Sequence, residues 1–401
     1  MIEVYSKALD KAIKVDRYIG KIDNGAKGPT VVIFAGIHGN ETAGVFALQE
    51  VFKTIKSSDI KGAVYGITGN IKALKERQRF LDVDLNRIWT EKQLAELTSN
   101  DQLNHEQTEQ QELFEILKTI LETHEPPFYF LDLHTTSSRS LPFITINDAL
   151  INRKFSQQFP VPIVLGIEEY LNGPLLSYIN TLGYVSLGFE SGQHDDKSAI
   201  SNAVAFVRLA LHYSNALRQT QEELQPFYRK LKRYAHNLIA TFEITYLHAI
   251  ENGEVFKMRP DFESFQKIMK HTLIAESDGE QIRSEYNARI FMPLYQEKGR
   301  EGFFIIRKIE PFFLKLSSAL RKLKADSVLV LLPGVRWYNG TKGALEVNLK
   351  VARFLAKPIF HLLGYRSRQI DTTHLRLFNR ERNAKIKSYR ELSWYKKTAS
   401  H

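Results

Sequence analysis

Between residues 30 and 250 the chain alternates short, continuous apolar runs with longer stretches in which apolar residues recur every three or four positions. Residues 31–35 (Val-Val-Ile-Phe-Ala) run into Gly36, and a helical pattern follows from about residue 41 to 55. A second strand is predicted at 63–67. The segment 108–122 then sets Leu113, Ile116, Leu117, Ile120 and Leu121 on one helical face. Further buried strands are predicted at 128–131 and 184–189. Strands interleaved with helices predict an α/β fold with a mixed, largely parallel sheet covered by helices. In such sheets ligands sit beyond the carboxyl ends of the strands.

From about Thr241 the texture changes to short β-rich runs (242–250, 288–294 and 303–309) joined by Asn252-Gly253 and Asp278-Gly279 turn signals. These predict a smaller β domain. The expected organisation is a main domain over 1–240, the β domain over 241–311 and a C-terminal extension over 312–401. The extension holds the apolar run Leu329 to Leu332 and a helical-looking stretch over 343–363, so it is expected to be folded and partly helical.

Charge sharpens that division. The net charge of +10 is uneven: residues from Phe313 onward carry +14 and the rest −4. The high pI therefore belongs to the extension. Basic segments can meet nucleic acid or anionic membrane, but a solvated face on an acidic neighbour is the reading preferred here. No specific nucleic acid or membrane partner is expected. Every apolar run stops short of a membrane span, and the N-terminus lacks the pattern of a secretory signal. The chain has no cysteine, which excludes disulfides, thiol nucleophiles and Cys-ligated metal. A cytoplasmic location fits.

Candidate chemistry clusters at strand ends. In Gly36-Ile37-His38-Gly39-Asn40-Glu41, the histidine lies in a Gly-rich turn after a strand and the glutamate at the start of a helix. An imidazole and a carboxylate are an ordinary pair of zinc ligands. Spacing alone is weak: with 12 histidines, about one His-x-x-Glu is expected by chance. A second copy, His248 to Glu251, falls in a strand-like stretch where residues three apart face opposite ways, and is read as a decoy. His134, ending the 128–131 strand, is the third ligand candidate. Asp132 is either its partner or bonded to nearby backbone. Glu190, ending the 184–189 strand, suits general-base work on metal-activated water, or else is an acid at a helix N-terminus. His194 is expected to face solvent or cap a turn. The arginine-rich segment 77–87 suits carboxylate recognition, or is a surface loop with scattered charge.

Taken together, His38-Gly-Asn-Glu41, Asp84-Leu-Asn-Arg87, Asp132-Leu-His134 and Phe189-Glu190-Ser-Gly come in the order and approximate spacing of the succinylglutamate desuccinylase/aspartoacylase family. The chain resembles that family, itself related to the zinc carboxypeptidases, from about residue 30 to 305. The resemblance implies one zinc per chain on His38, Glu41 and His134, with Glu190 as general base and acid. It implies that Arg79 polarises the scissile carbonyl, that Asn86 and Arg87 hold a product carboxylate, and that Tyr295 reaches the substrate site. One position departs. Aspartoacylases carry an arginine ten residues before the catalytic glutamate, and Asn180 stands here, so an acidic substrate side chain is not expected to be strongly preferred.

The expected activity is zinc-dependent hydrolysis of an N-acyl amino acid or related small amide. A peptide carboxypeptidase would share the same catalytic residues, and ester cleavage is open to the same water. A binding protein acting through the basic extension has no need of the ligand set. Dinucleotide binding through Gly36, Gly39 and Gly44 fails on spacing. Because the extension lies beyond the resemblance, a chain ending near Pro311 is expected to keep metal and activity.

Overall fold

The computed structural model describes residues 1–99, 102–331, 333–338, 344–348, 363–369, 374–379, 381 and 383–396. The strands up to the start of the β-rich region are β1 (Ile2–Ser6), β2 (Lys11–Val15), β3 (Tyr18–Asp23), β4 (Thr30–Ala35), β5 (Ala63–Thr68), β6 (Phe128–Thr136), β7 (Phe143–Ile146), β8 (Ile163–Leu165), β9 (Val185–Gln193) and β10 (Thr241–Ala249). They are followed by β11 (Phe256–Met258), β12 (Lys267–Ile268), β13 (Leu273–Ser277), β14 (Glu280–Arg283), β15 (Ala288–Phe291) and β16 (Glu301–Lys308). The helices that matter for the site are α1 (Ala43–Thr54), α2 (Ile71–Glu76), α3 (Glu91–Ser99), α4 (His105–Thr123), α5 (Leu150–Ser156), α6 (Leu175–Thr181), α7 (Lys197–Tyr213) and α8 (Gln221–Tyr234).

Eleven of these strands make one sheet in the order β12-β15-β16-β10-β8-β7-β9-β6-β4-β5-β3. Its centre, β5-β4-β6-β9, is parallel. The strand β7 then runs antiparallel to β9, and β7, β8 and β10 are parallel to one another. The sheet is thus mixed, with antiparallel pairing more prominent than the interleaved pattern suggests. β8 and β10 pair directly, so one sheet crosses the 240/241 boundary. The β-rich region still has apolar packing of its own around Met258, Ile274, Ile290 and Phe303.

Strand alternation divides the interior into two layers. Val31, Ile33, Tyr129, Leu131, Val185, Leu187 and Phe189 face one side, against α1 and α7. Phe189 stacks on Phe206 with ring centroids 4.0 Å apart. Val32, Phe34, Phe128 and Phe130 face the other side, against α4 and α6. On that second face the apolar series stops toward the strand ends, where Asp132, His134, Gly188 and Glu190 take over the same alternating positions.

The C-terminal extension differs from its expected form. It opens with α9 (Pro311–Lys322) and forms a four-stranded antiparallel sheet from β17 (Val335–Trp337), β18 (Ala344–Asn348), β19 (Tyr365–Gln369) and β20 (His374–Asn379). Of the helix expected over 343–363, residues 344–348 are strand, 363 lies in a turn, and 343 and 349–362 lie outside the described residues. Beyond the sheet the chain returns to the main body and ends in α10 (Ser393–Lys396). The Tyr389 hydroxyl, fully buried, donates to Phe128 O at 2.5 Å and accepts from Val185 N at 3.1 Å. It therefore ties together the first residues of β6 and β9. Trp394 packs on Phe155 and donates to the Tyr129 hydroxyl at 3.2 Å. Arg321, buried in α9, meets Asp148 at 2.8 Å and Glu381 at 3.1 Å. With the extension packed into the core in this way, a chain ending near Pro311 is expected to lose its fold rather than to keep metal and activity. No helix among the described residues is long and apolar enough to cross a membrane.

Candidate metal centre and substrate cavity

The turn after β4 sets the first two groups. Gly36 takes φ +71°, and Gly39 sits so close to α2 that a Cβ there would lie 2.1 Å from Ala73 C. Only glycine permits that approach. The resulting turn folds His38 back on Glu41, with Nδ1 2.7 Å from Oε1. The other Glu41 oxygen is 3.1 Å from His134 Nδ1 and accepts from Thr135 N at 2.9 Å. One ligand atom from each of His38, Glu41 and His134 can be chosen so that all lie within 4.8 Å of one another. All three residues are buried.

Each imidazole has its outer nitrogen held by a carboxylate. His134 Nε2 lies 2.7 Å from Asp132 Oδ2, and His38 Nε2 lies 3.1 Å from Asp84 Oδ1. A carboxylate there favours the proton on Nε2 and turns the Nδ1 lone pair inward. Two inward lone pairs and a carboxylate facing one another require a cation between them, either a proton or a metal ion. The donor set therefore fits a divalent metal such as zinc. Burial works against charge on His134, but Asp132 and Glu41 outweigh it and hold the imidazole well above its usual range. Burial likewise opposes the Glu41 and Asp84 carboxylates, yet the histidines beside Glu41, and His38 with Arg79 beside Asp84, hold both well below theirs.

Glu190 is the register partner of His134 across the β6–β9 pair. Its Oε2 is buried with no hydrogen-bond partner. Burial, reinforced by Glu41 and Asp132 and opposed by His134 and Arg79, pushes its carboxyl up to about 8. Such a group can hold or release a proton near neutrality, which suits an acid–base role.

Arg79, Asn86 and Arg87 come from the segment between α2 and α3, which is locked by a buried carboxylate. Glu106 of α4 accepts from the backbone N–H groups of Leu81, Asp82 and Val83 at 2.7, 2.9 and 3.2 Å. Arg79 reaches Asp84 at 3.1 Å and Glu41 at 3.4 Å, while its Nε is buried without a partner. Asn86 Oδ1 accepts from Leu175 N at 2.9 Å and so holds the first turn of α6. Arg87 pairs with Glu301 of β16 at 2.9 Å.

One cavity collects His38, Glu41, His134, Glu190, Arg79, Asn86 and Arg87 along its wall. Tyr295 is not among its lining residues. Its hydroxyl donates to Arg259 O at 2.6 Å and accepts from Phe262 N at 3.0 Å, which turns the ring toward the β-rich region. Its neighbour Gln296 faces the cavity and accepts from Asn40 Nδ2 at 3.0 Å. His194 also departs from expectation. It is half-buried against the cavity, with Nδ1 2.7 Å from Thr135 Oγ1 and Nε2 3.1 Å from Gln296 Oε1, and desolvation lowers its pKa. His248 lies elsewhere, stacked on Phe256 and Phe303 and 3.0 Å from Glu254.

Sequence reasoning assigned no role to Asp84, Glu106, Gln296 or Glu301. Only Asp84 carried a signal, as an acid two residues before Asn86 in a motif already singled out.

The fold and cavity define an α/β protein with a candidate metal centre at the carboxyl ends of its central strands. Residues 27–202 match the model of the succinylglutamate desuccinylase/aspartoacylase catalytic domain. Over those residues the chain is similar to the succinylglutamate desuccinylase/aspartoacylase family. A succinylglutamate desuccinylase from Pseudoalteromonas atlantica is 24% identical over 268 residues, 64% of this chain and 74% of that protein. A solved succinylglutamate desuccinylase/aspartoacylase structure from Rhodobacter sphaeroides aligns with a TM-score of 0.53 at 14% identity, over 71% of this chain and 87% of the other. The product-bound ectoine utilization protein from Ruegeria pomeroyi aligns with a TM-score of 0.52 at 17% identity, over 72% and 88%. At these identities the two structures establish the shared fold.

Proposed function

We propose that this protein is a zinc-dependent hydrolase, with one zinc per chain, that cleaves the amide bond of an N-acyl amino acid or related small amide. The observation that carries the reading is the convergence of inward-facing donors on His38, Glu41 and His134 beside the unpartnered Glu190 oxygen. Zinc held there would supply Lewis-acid polarisation and activation of water. Glu190 accepts the proton of the attacking water and returns it to the leaving amine. Arg79 supports the oxygen on which charge develops, through the buried Nε that no protein group uses. Asn86 and Arg87 orient a substrate carboxylate. Met292, Leu294, Gln296 and Glu301 of the 241–311 region line the cavity, and a wall supplied from that region favours a small substrate over a peptide. A cytoplasmic location, consistent with the cysteine-free composition, is kept as part of this proposal.

The metal assignment is tested by elemental analysis of purified variants. His38→Ala and His134→Ala are expected to lose most of their zinc and His248→Ala to retain it. Asp132→Asn should weaken zinc affinity about 10–100-fold, since it removes the group that orients His134. Undiminished zinc in His38→Ala sinks the site.

Arg87 gives a second test. A charge-assisted hydrogen bond contributes about 1.5–3 kcal/mol, so Arg87→Ala should raise KM roughly tenfold or more for carboxylate-bearing substrates. Glu301→Gln should act the other way, because a substrate carboxylate no longer competes with Glu301 for the guanidinium. KM values that move together in both variants would contradict the competition.

A further inference from the structure

The cavity extends past the catalytic groups, and its far end is built differently. Glu190 and Gly188 lie on the same face of β9, two residues and so about 7 Å apart along the strand. Gly188 pairs with Thr145 of β7, and a Cβ at 188 would lie 2.4 Å from Thr145 Oγ1. The glycine therefore leaves room for the Thr145 hydroxyl and for Leu176, and all three line the cavity beside Glu190. Beyond it stand Asn147 and Ser177, joined by Asn147 Nδ2 donating to Ser177 Oγ at 3.1 Å, with Leu171 and Leu176 alongside. Ser177 lies one helical turn before Asn180 on α6. Asn180 is itself buried and is not among the residues lining the cavity.

Charge is distributed unevenly along this cavity. Among the described residues lining it, the arginines are Arg79 and Arg87 and the carboxylates are Glu41, Asp132, Glu190 and Glu301. Arg79 is engaged by Asp84 and Glu41, and Arg87 by Glu301. A dication on the metal ligands would bring this set close to neutrality. One substrate carboxylate could then displace Glu301 on Arg87. A second, placed at the far end, would meet hydroxyls, an amide and leucines. An ionised carboxylate moved from water into such a wall loses hydration with no charge to replace it.

Resting on the hydrolase reading above, we infer that the end of the cavity formed by Thr145, Asn147, Ser177, Gly188, Leu171 and Leu176 is a specificity subsite for an uncharged substituent of the substrate. That substituent is either the side chain of the amino acid or the distal part of the acyl group. In both cases the site selects against a second carboxylate.

The test uses the full-length, zinc-loaded protein and matched pairs. N-acetylasparagine against N-acetylaspartate, and N-acetylglutamine against N-acetylglutamate, vary the side chain. N-butyrylglutamine against N-succinylglutamine varies the acyl end. Binding of each compound to Glu190→Gln protein is read by calorimetry, and kcat/KM is read on the wild type. The neutral member is expected to bind, and to be turned over, at least tenfold better in the pair whose variable group reaches the subsite. Ser177→Arg is expected to reverse that preference while zinc content stays unchanged. Equal or tighter binding of the acidic member in every pair overturns the inference. It does so even if hydrolysis of both members upholds the hydrolase reading. Tenfold selectivity in binding, with no turnover of any compound, would instead uphold the subsite and reject that reading.

Discussion

Glu190→Gln is expected to lower kcat by about 10²–10⁴, the range for loss of a general acid–base group, with zinc content and fold unchanged. The amide keeps the shape of the carboxylate and removes its capacity to take a proton. The proposed ligands His38, Glu41 and His134 are untouched by the change, and Arg79, Asn86 and Arg87 still line the cavity, so zinc and substrate binding should persist. The pH profile gives an independent reading. Burial pushes the Glu190 carboxyl up to about 8 in the ion-free cluster, and only the deprotonated form can act as a base. The wild-type kcat/KM should therefore be low in acid and rise with pH. A dication nearby favours the carboxylate and places the rise below 8. The Gln variant should lack that limb. The measurement pairs zinc analysis with kcat and a pH series on one substrate; near-normal turnover in the variant removes Glu190 from the mechanism.

Removal of the C-terminal extension is expected to abolish the fold rather than trim a dispensable appendage. Deleting everything after Pro311 strips Tyr389 from the starts of β6 and β9, Trp394 from Tyr129 and Phe155, and Arg321 from buried Asp148. Replacing one buried Trp by Ala alone costs about 3–5 kcal/mol, against a total stability of about 5–15 kcal/mol. Trp394→Ala should therefore still fold but unfold at markedly lower denaturant, and the truncated chain should be insoluble or readily proteolysed. Both outcomes are read by denaturant titration and limited proteolysis, alongside zinc content. A truncated chain that is folded, loaded and active would show that the extension is only docked.

Much of the site was legible in the sequence because its parts follow local rules. The apolar runs at 31–35, 128–131 and, from Val185, 184–189 are strands, and the residues just beyond or near their ends are the ones that meet. His38, Glu41, His134 and Glu190 could be singled out because each continues or follows a strand whose alternation is written in consecutive residues. The glycines around His38 marked a tight turn for the same reason. The family resemblance added Arg79, Asn86 and Arg87, and the structure brings all three to the cavity.

Other features depend on groups far apart in the chain. β7 and β8 span four and three residues, too short for periodicity to register, yet they link the central sheet to the β-rich region. Tyr295 faces away from the cavity because Arg259 and Phe262 satisfy its hydroxyl. His194 is turned to the cavity, half-buried, because Thr135 and Gln296 converge on it from other elements. The basic composition of the extension announced a solvated surface, but Tyr389 and Trp394 within it fill the core. The sequence by itself determined the central strands, the turn and the candidate donor set, since backbone alternation and side-chain donor type are local properties. Only the tertiary structure decided which polar groups are paired, which are left to face a substrate, and which aromatic residues close the core, because burial is conferred by neighbours distant in sequence.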